Sequence, residues 1–156
     1  AMAVKDYKAV VDALHNLDRE STGDKYADIQ QMYEQANYAY AGELYNQDKP
    51  YEALPYYRNI PNYRDVSTTR LTRVPYRIIG SWESTKWLKM VFNDDGTCVI
   101  DGRNLYYLAK NYLLRVGARA DNLDEQYTIV RFPNDGKQLT LQNRTTKTYY
   151  RMSRVE

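Results

Sequence analysis

Two periodicities share this chain, and the change from one to the other near Pro75 constrains its fold more than any other feature. Before Pro75, apolar residues recur every three or four positions; after it they alternate with polar ones. Val4, Tyr7, Val10, Val11, Leu14 and Leu17 predict an amphipathic helix over 4–19, ended by Ser21-Thr22-Gly23. Asp24 then precedes a long helix to about residue 47, with a main stripe of Ile29, Tyr33, Ala36, Tyr40 and Leu44. Tyr38, Ala41 and Tyr45 form a second stripe, and a helix with two apolar faces belongs between neighbours, here the first helix and the next. Asp48-Lys49-Pro50 opens that next helix, because proline in a first turn forfeits no hydrogen bond. Ala53, Leu54, Tyr57 and Ile60 make its inner face, Pro55 predicts a kink or a short helix, and Pro61 ends it. A further short helix over 62–72 would run through Tyr63, Val66 and Leu71.

Beyond Pro75, Leu88/Met90/Phe92, Cys98/Ile100, Tyr112/Leu114/Val116, Tyr127/Ile129, Leu139/Leu141 and Tyr150/Met152 alternate at strand spacing. Asn93-Asp94-Asp95-Gly96, Asp101-Gly102, Asp121-Asn122 and Pro133-Asn134-Asp135-Gly136 separate them as hairpin turns. Seven or eight short strands joined this way predict an antiparallel meander, closing as a small barrel or a strongly curled sheet. The fold class is therefore α+β, with a helical region over 1–74 and a β domain over 75–156.

Composition excludes several functions. The net charge of +2 provides no field that would concentrate nucleic acid, and no apolar run is long enough for a membrane-spanning helix. One cysteine, Cys98, and one histidine, His15, leave no disulfide framework and no ordinary zinc set, so neither metal nor cofactor is expected. Cys98 sits on an inward strand face and reads as core. His15 lies on a helix between Leu14 and Leu17, a poor place to assemble a nucleophile and its base. Asp94-Asp95-Gly96 fails as a calcium loop, because Val91 and Gly102 would occupy ligand positions that need carboxylates. Glu83, Asp101, Asp124 and Glu125 carry no spacing that points to a glycosidase pair. The chain therefore reads as noncatalytic. Its 17 tyrosines, against two Phe and two Trp, give it large rings with one hydroxyl each, a composition that suits binding surfaces.

Ala41, Leu44, Asp48, Ala53 and Tyr57 resemble the helix-turn-helix core of a tetratricopeptide repeat, in which small residues let two helices approach and an aromatic fills the gap. Only one such unit is visible, whereas about three repeats normally bury a continuous core, so the hairpin needs another surface to lean on. The stretch from about 76 to 154 resembles small bacterial lipocalin-like domains, through Gly80-Ser81-Trp82 as a first-strand Gly-x-Trp, Phe92-Asn-Asp-Asp-Gly96 as the first hairpin, and Leu139-Thr-Leu141 followed by Tyr150-Arg151 as the final strands. The resemblance implies an extracytoplasmic setting. It also suggests a structural stack of Arg151 on Trp82 at one end of the barrel.

A lipocalin-like barrel suggests a carrier of a small lipophilic ligand, but strands of about ten residues with their turns make a barrel filled by its own side chains. Trp82, Phe92, Tyr112, Tyr127 and Tyr150 are the large inward candidates. The favoured expectation is a noncatalytic binding module for a protein or peptide, or for a second copy of the chain; the alternative is the lipophilic carrier. Tyr38, Tyr45 and Tyr56 are the candidate binding residues, expected as an exposed aromatic patch on the helices.

Overall fold

A computed structural model describes the backbone of residues 4–17, 24–85 and 87–155 and the side chains of 7–13, 27–85 and 87–155. The chain divides into two compact units, Ala1–Thr72 and Arg73–Glu156. The first is helical; the second is an antiparallel barrel.

In the helical unit, α1 (Val4–Leu17) and α3 (Pro50–Arg58) both pack on α2 (Asp24–Asn46). The expected end of the first helix at Ser21-Thr22-Gly23 lies outside the described residues. Ala36, Ala41 and Ala53 are buried, and with no side chain beyond Cβ they let α2 and α3 approach; Tyr57 is completely buried in the space that remains. Asn37, also completely buried, has both ends of its amide satisfied. Its Nδ2 donates to the Tyr33 carbonyl at 2.8 Å, and its Oδ1 accepts from Asn59 Nδ2 at 2.9 Å, fixing α2 to the residue that caps α3. Pro50 begins α3, and Pro55 is accommodated within a helix of nine residues.

The helix expected over 62–72 is instead a π-helical turn, Val66–Arg70, with Arg70 N donating to the Asp65 carbonyl and Leu71 N to that of Val66. Val66, Thr68 and Thr69 are β-branched, and Ser67, Thr68 and Thr69 bear hydroxyls, which weakens the α-helical alternative; the wider turn carries Arg70 onto Tyr38 and Tyr57.

The second unit starts with a helical turn, α4 (Val74–Arg77), where strand alternation was expected from Pro75; Pro75 stands in its first turn, where it suits a helix start. Eight strands follow: β1 (Gly80–Ser84), β2 (Lys89–Phe92), β3 (Thr97–Ile100), β4 (Arg103–Lys110), β5 (Leu113–Gly117), β6 (Glu125–Arg131), β7 (Gln138–Asn143) and β8 (Tyr149–Val155). Each pairs antiparallel with the next, and β8 returns to β1, closing the barrel. β4 escaped the alternation pattern because Leu105, Tyr106, Tyr107 and Leu108 are consecutively apolar; pairing decides that Tyr107 and Ala109 point inward. Tyr112, expected inward, is 78% exposed because it lies in the β4–β5 turn after Asn111, which adopts a φ of 56°.

Candidate functional site

Each inward row of the barrel is set by the period of two. Trp82, Met90, Phe92, Ile100, Leu114, Leu139, Leu141 and Met152 are all essentially inaccessible, so the interior is filled by the chain itself. Tyr107 and Tyr127 add rings, Tyr107 tilted against Phe92 at 4.8 Å and its hydroxyl donating to the Asn93 carbonyl at 2.7 Å. Tyr150, an expected inward residue, is half-buried with its ring 6.4 Å from that of Tyr127. The Tyr127 hydroxyl donates to Glu125, and burial followed by that bond raises its pKa above the usual tyrosine range. Cys98 is buried on the inner face of β3, where loss of solvation pushes its thiol up to about 12. Such a thiol keeps its proton and does no nucleophilic work near neutrality.

The cation on Trp82 is Arg154, with its guanidinium carbon 4.3 Å from the ring centroid. The expected partner, Arg151, is exposed on the outer face of β8. Register gives the reason: Trp82 lies opposite Arg154, so Tyr150, Met152 and Arg154 share its side of the sheet and Arg151 faces away. Arg154 donates from Nε to the Gly136 carbonyl at 2.7 Å, from Nη1 to that of Ile79 at 2.8 Å and from Nη2 to that of Arg77 at 2.6 Å. Gly80 is needed here, since a Cβ on it, at φ 136°, would stand 2.3 Å from Arg154 Nη1. Trp82 donates from Nε1 to the Ile78 carbonyl at 2.9 Å, and Arg77 lies over Phe132 at 4.1 Å. The Gly-x-Trp segment thus belongs to the structural closure of one barrel end.

The three candidate tyrosines of the helical unit are half-buried and divide between different surroundings. Tyr38 donates its hydroxyl to Asp65 Oδ1 at 2.8 Å and accepts from Arg70 Nη2 at 2.7 Å, with its ring edge-on to Tyr63 at 5.5 Å and Arg70 4.7 Å above it. Desolvation, then the bond to Asp65, raises its pKa, and the same bond lowers that of Asp65. Tyr56 packs edge-on against Tyr40 at 4.7 Å, beside an open recess of about 390 Å³ that Lys8, Leu44 and Glu52 also line. Tyr38 and Tyr40 are two positions apart and face opposite sides of α2. The single aromatic patch expected of Tyr38, Tyr45 and Tyr56 is therefore not formed: the 61–72 segment occupies the Tyr38 side.

The two acidic turns are turns. Asp95 Oδ1 accepts from Thr97 N at 3.0 Å and Thr97 Oγ1 at 2.6 Å, bonds that lower its pKa, while Gly96 takes a φ of 86°. Asp135 repeats this device with Lys137 N at 3.0 Å. Among the described residues no three of His, Cys, Asp and Glu gather as metal ligands. The side chain of His15 lies outside the described residues.

What the sequence reading missed lies on the outer wall. β6, β7 and β8 carry an open groove of about 660 Å³, with Val130, Arg131, Thr140, Tyr149, Arg151 and Ser153 among its lining. It forms at a register shift in β6 between Ile129 and Arg131, where Val130 is the extra residue and stands 50% exposed. Alternation assigned these positions only to the outer face; strand pairing brings them together. Comparison with family models, with curated proteins and with solved structures gives no match to this chain.

Proposed function

We propose that this protein is a noncatalytic binding module that recognises a protein or peptide through its outer surfaces, built from a tetratricopeptide-like hairpin and a lipocalin-like barrel. The observation that carries this reading is the filled barrel interior set against an outer surface rich in exposed rings: Trp87 at 83%, Tyr112 at 78% and Tyr149 at 52% exposure. Large exposed aromatics favour contact with another surface, since each buries substantial apolar area there. Trp87 also holds a φ of 67°, a backbone conformation that costs a bulky residue.

The second reading, a carrier of a small lipophilic ligand, draws support from the closed eight-stranded barrel, an architecture able to hold one small ligand when its interior is hollow. Two measurements on the full chain separate the readings. Selection of random peptides on the immobilised protein is expected to enrich a sequence family, while a fatty acid and an environment-sensitive dye show no saturable binding. Stoichiometric fatty-acid binding with tryptophan quenching, and no peptide enrichment, would replace the first reading with the second.

A further inference from the structure

We infer that the outer groove over β6, β7 and β8 is a docking site for an extended acidic peptide segment of a partner protein, an inference that rests on the peptide-binding reading above. Strand pairing places Arg131 on one side of Thr140 and Arg151 on the other, each directly opposite it in register. The two arginines are thus two strand spacings apart, about 9.5 Å between Cα atoms, with a hydroxyl between them. Among the described residues neither side chain has a hydrogen-bond or ion-pair partner, so both guanidinium forks are open to carboxylates. Among the described residues no carboxylate lines the groove; Glu83, on the neighbouring strand β1, lies opposite Lys89 and Ser153 in strand register and outside the lining.

The rest of the lining suits a peptide. Val130 and Tyr149, each about half exposed, offer apolar contact beside the cations. Gln138, Thr140 and Ser153 can exchange hydrogen bonds with peptide amides and carbonyls. Closure of the barrel leaves no free edge at β8, so a peptide cannot add as a further strand and must be held by these side chains while crossing the strands. In an extended segment, alternate residues lie on one side about 7 Å apart, within the span that two long arginine side chains adjust to. Two acidic residues separated by one other therefore match the pair.

The probe is a synthetic octapeptide with Glu at its fourth and sixth positions, with a Gln twin, titrated onto the full chain. The Glu peptide is expected to saturate and to bind at least about ten-fold more tightly than its twin, weakening as salt rises. Arg131→Ala and Arg151→Ala, both at exposed positions, should each weaken it by about ten-fold, as loss of a charge-assisted contact does. The double variant Arg131→Glu/Arg151→Glu should instead prefer a Lys-substituted peptide, an inversion that a folding defect cannot produce. Equal binding of the Gln twin, or no response to the arginine variants, overturns the acidic site and leaves the peptide reading intact. Inorganic phosphate or a trimer of galacturonic acid competing as well as the Glu peptide overturns it in favour of a general anion site. Failure of any random peptide to enrich on the protein overturns the peptide reading itself.

Discussion

Arg154 and Trp82 close one end of the barrel as a unit: the ring stacks under the guanidinium, whose nitrogens reach the carbonyls of Arg77, Ile79 and Gly136. Lysine could supply the charge but not a planar fork that binds three carbonyls at once. Trp82→Ala removes a side chain that is 1% exposed and should cost about 3–5 kcal/mol, read as a large drop in the unfolding midpoint. An unchanged midpoint would mean that the end is held by other residues. Cys98 gives a second test. Its folded pKa of about 12 lies above the ordinary value of 9.0, so the folded state holds the thiol proton that an unfolded chain releases. Its contribution to stability is whole below pH 9.0 and falls away as the pH rises toward about 12. Thiol-labelling reagents at pH 8 should therefore react only after denaturant is added; rapid labelling of the native protein would show the wall to be open.

At the scale of the element, the 61–72 segment is held to α2 by polar chemistry more than by its own helical tendency. Within it only Val66 buries an apolar side chain deeply, while Asp65, Arg70 and Tyr38 supply the bonds. Tyr38→Ser removes the ring and both bonds and should lower helical-unit stability by about 1–2 kcal/mol, measured by thermal unfolding. An unchanged midpoint would return Tyr38 to the role of a free surface aromatic. Tyr38→Phe tests the electrostatics. Asp65 has a lowered pKa whose first cause is the Tyr38 hydroxyl, so its contribution is present above the ordinary 3.8 and is lost as the pH falls through the lowered folded value. The parent should therefore lose stability in acid more steeply than Tyr38→Phe. This segment was the least legible part of the helical half, because its wide turn depends on a partner 27 residues away.

On the scale of the whole molecule, each unit has its own core: Tyr57, Ala53, Leu54 and Val66 in the helices, Trp82, Phe92, Leu139 and Leu141 in the barrel. Amide hydrogen exchange should report this division. Trp82→Ala is expected to speed exchange along β1, β2 and β8 while α2 keeps its protection; a matching rise in α2 would show the two units to unfold together. Helical spacing before Pro75 and alternation after it, with Asx-Gly turns between strands, already dictate helices followed by a meander. These are local signals, each carried within a few residues. The inward face of Cys98 was legible too, since it follows from parity along one strand. Only tertiary structure decided which side chains meet. Alternation cannot say that Arg154 rather than Arg151 reaches Trp82, because that depends on the register between two strands far apart in the chain, in which Trp82 lies opposite Arg154. Nor can it say that Arg131 and Arg151 flank Thr140, because one extra residue in β6 shifts that wall. The Tyr38 face of α2 looked open for the same reason: the segment that covers it is tied there by hydrogen bonds and a cation over a ring, contacts that leave no periodic trace in the sequence.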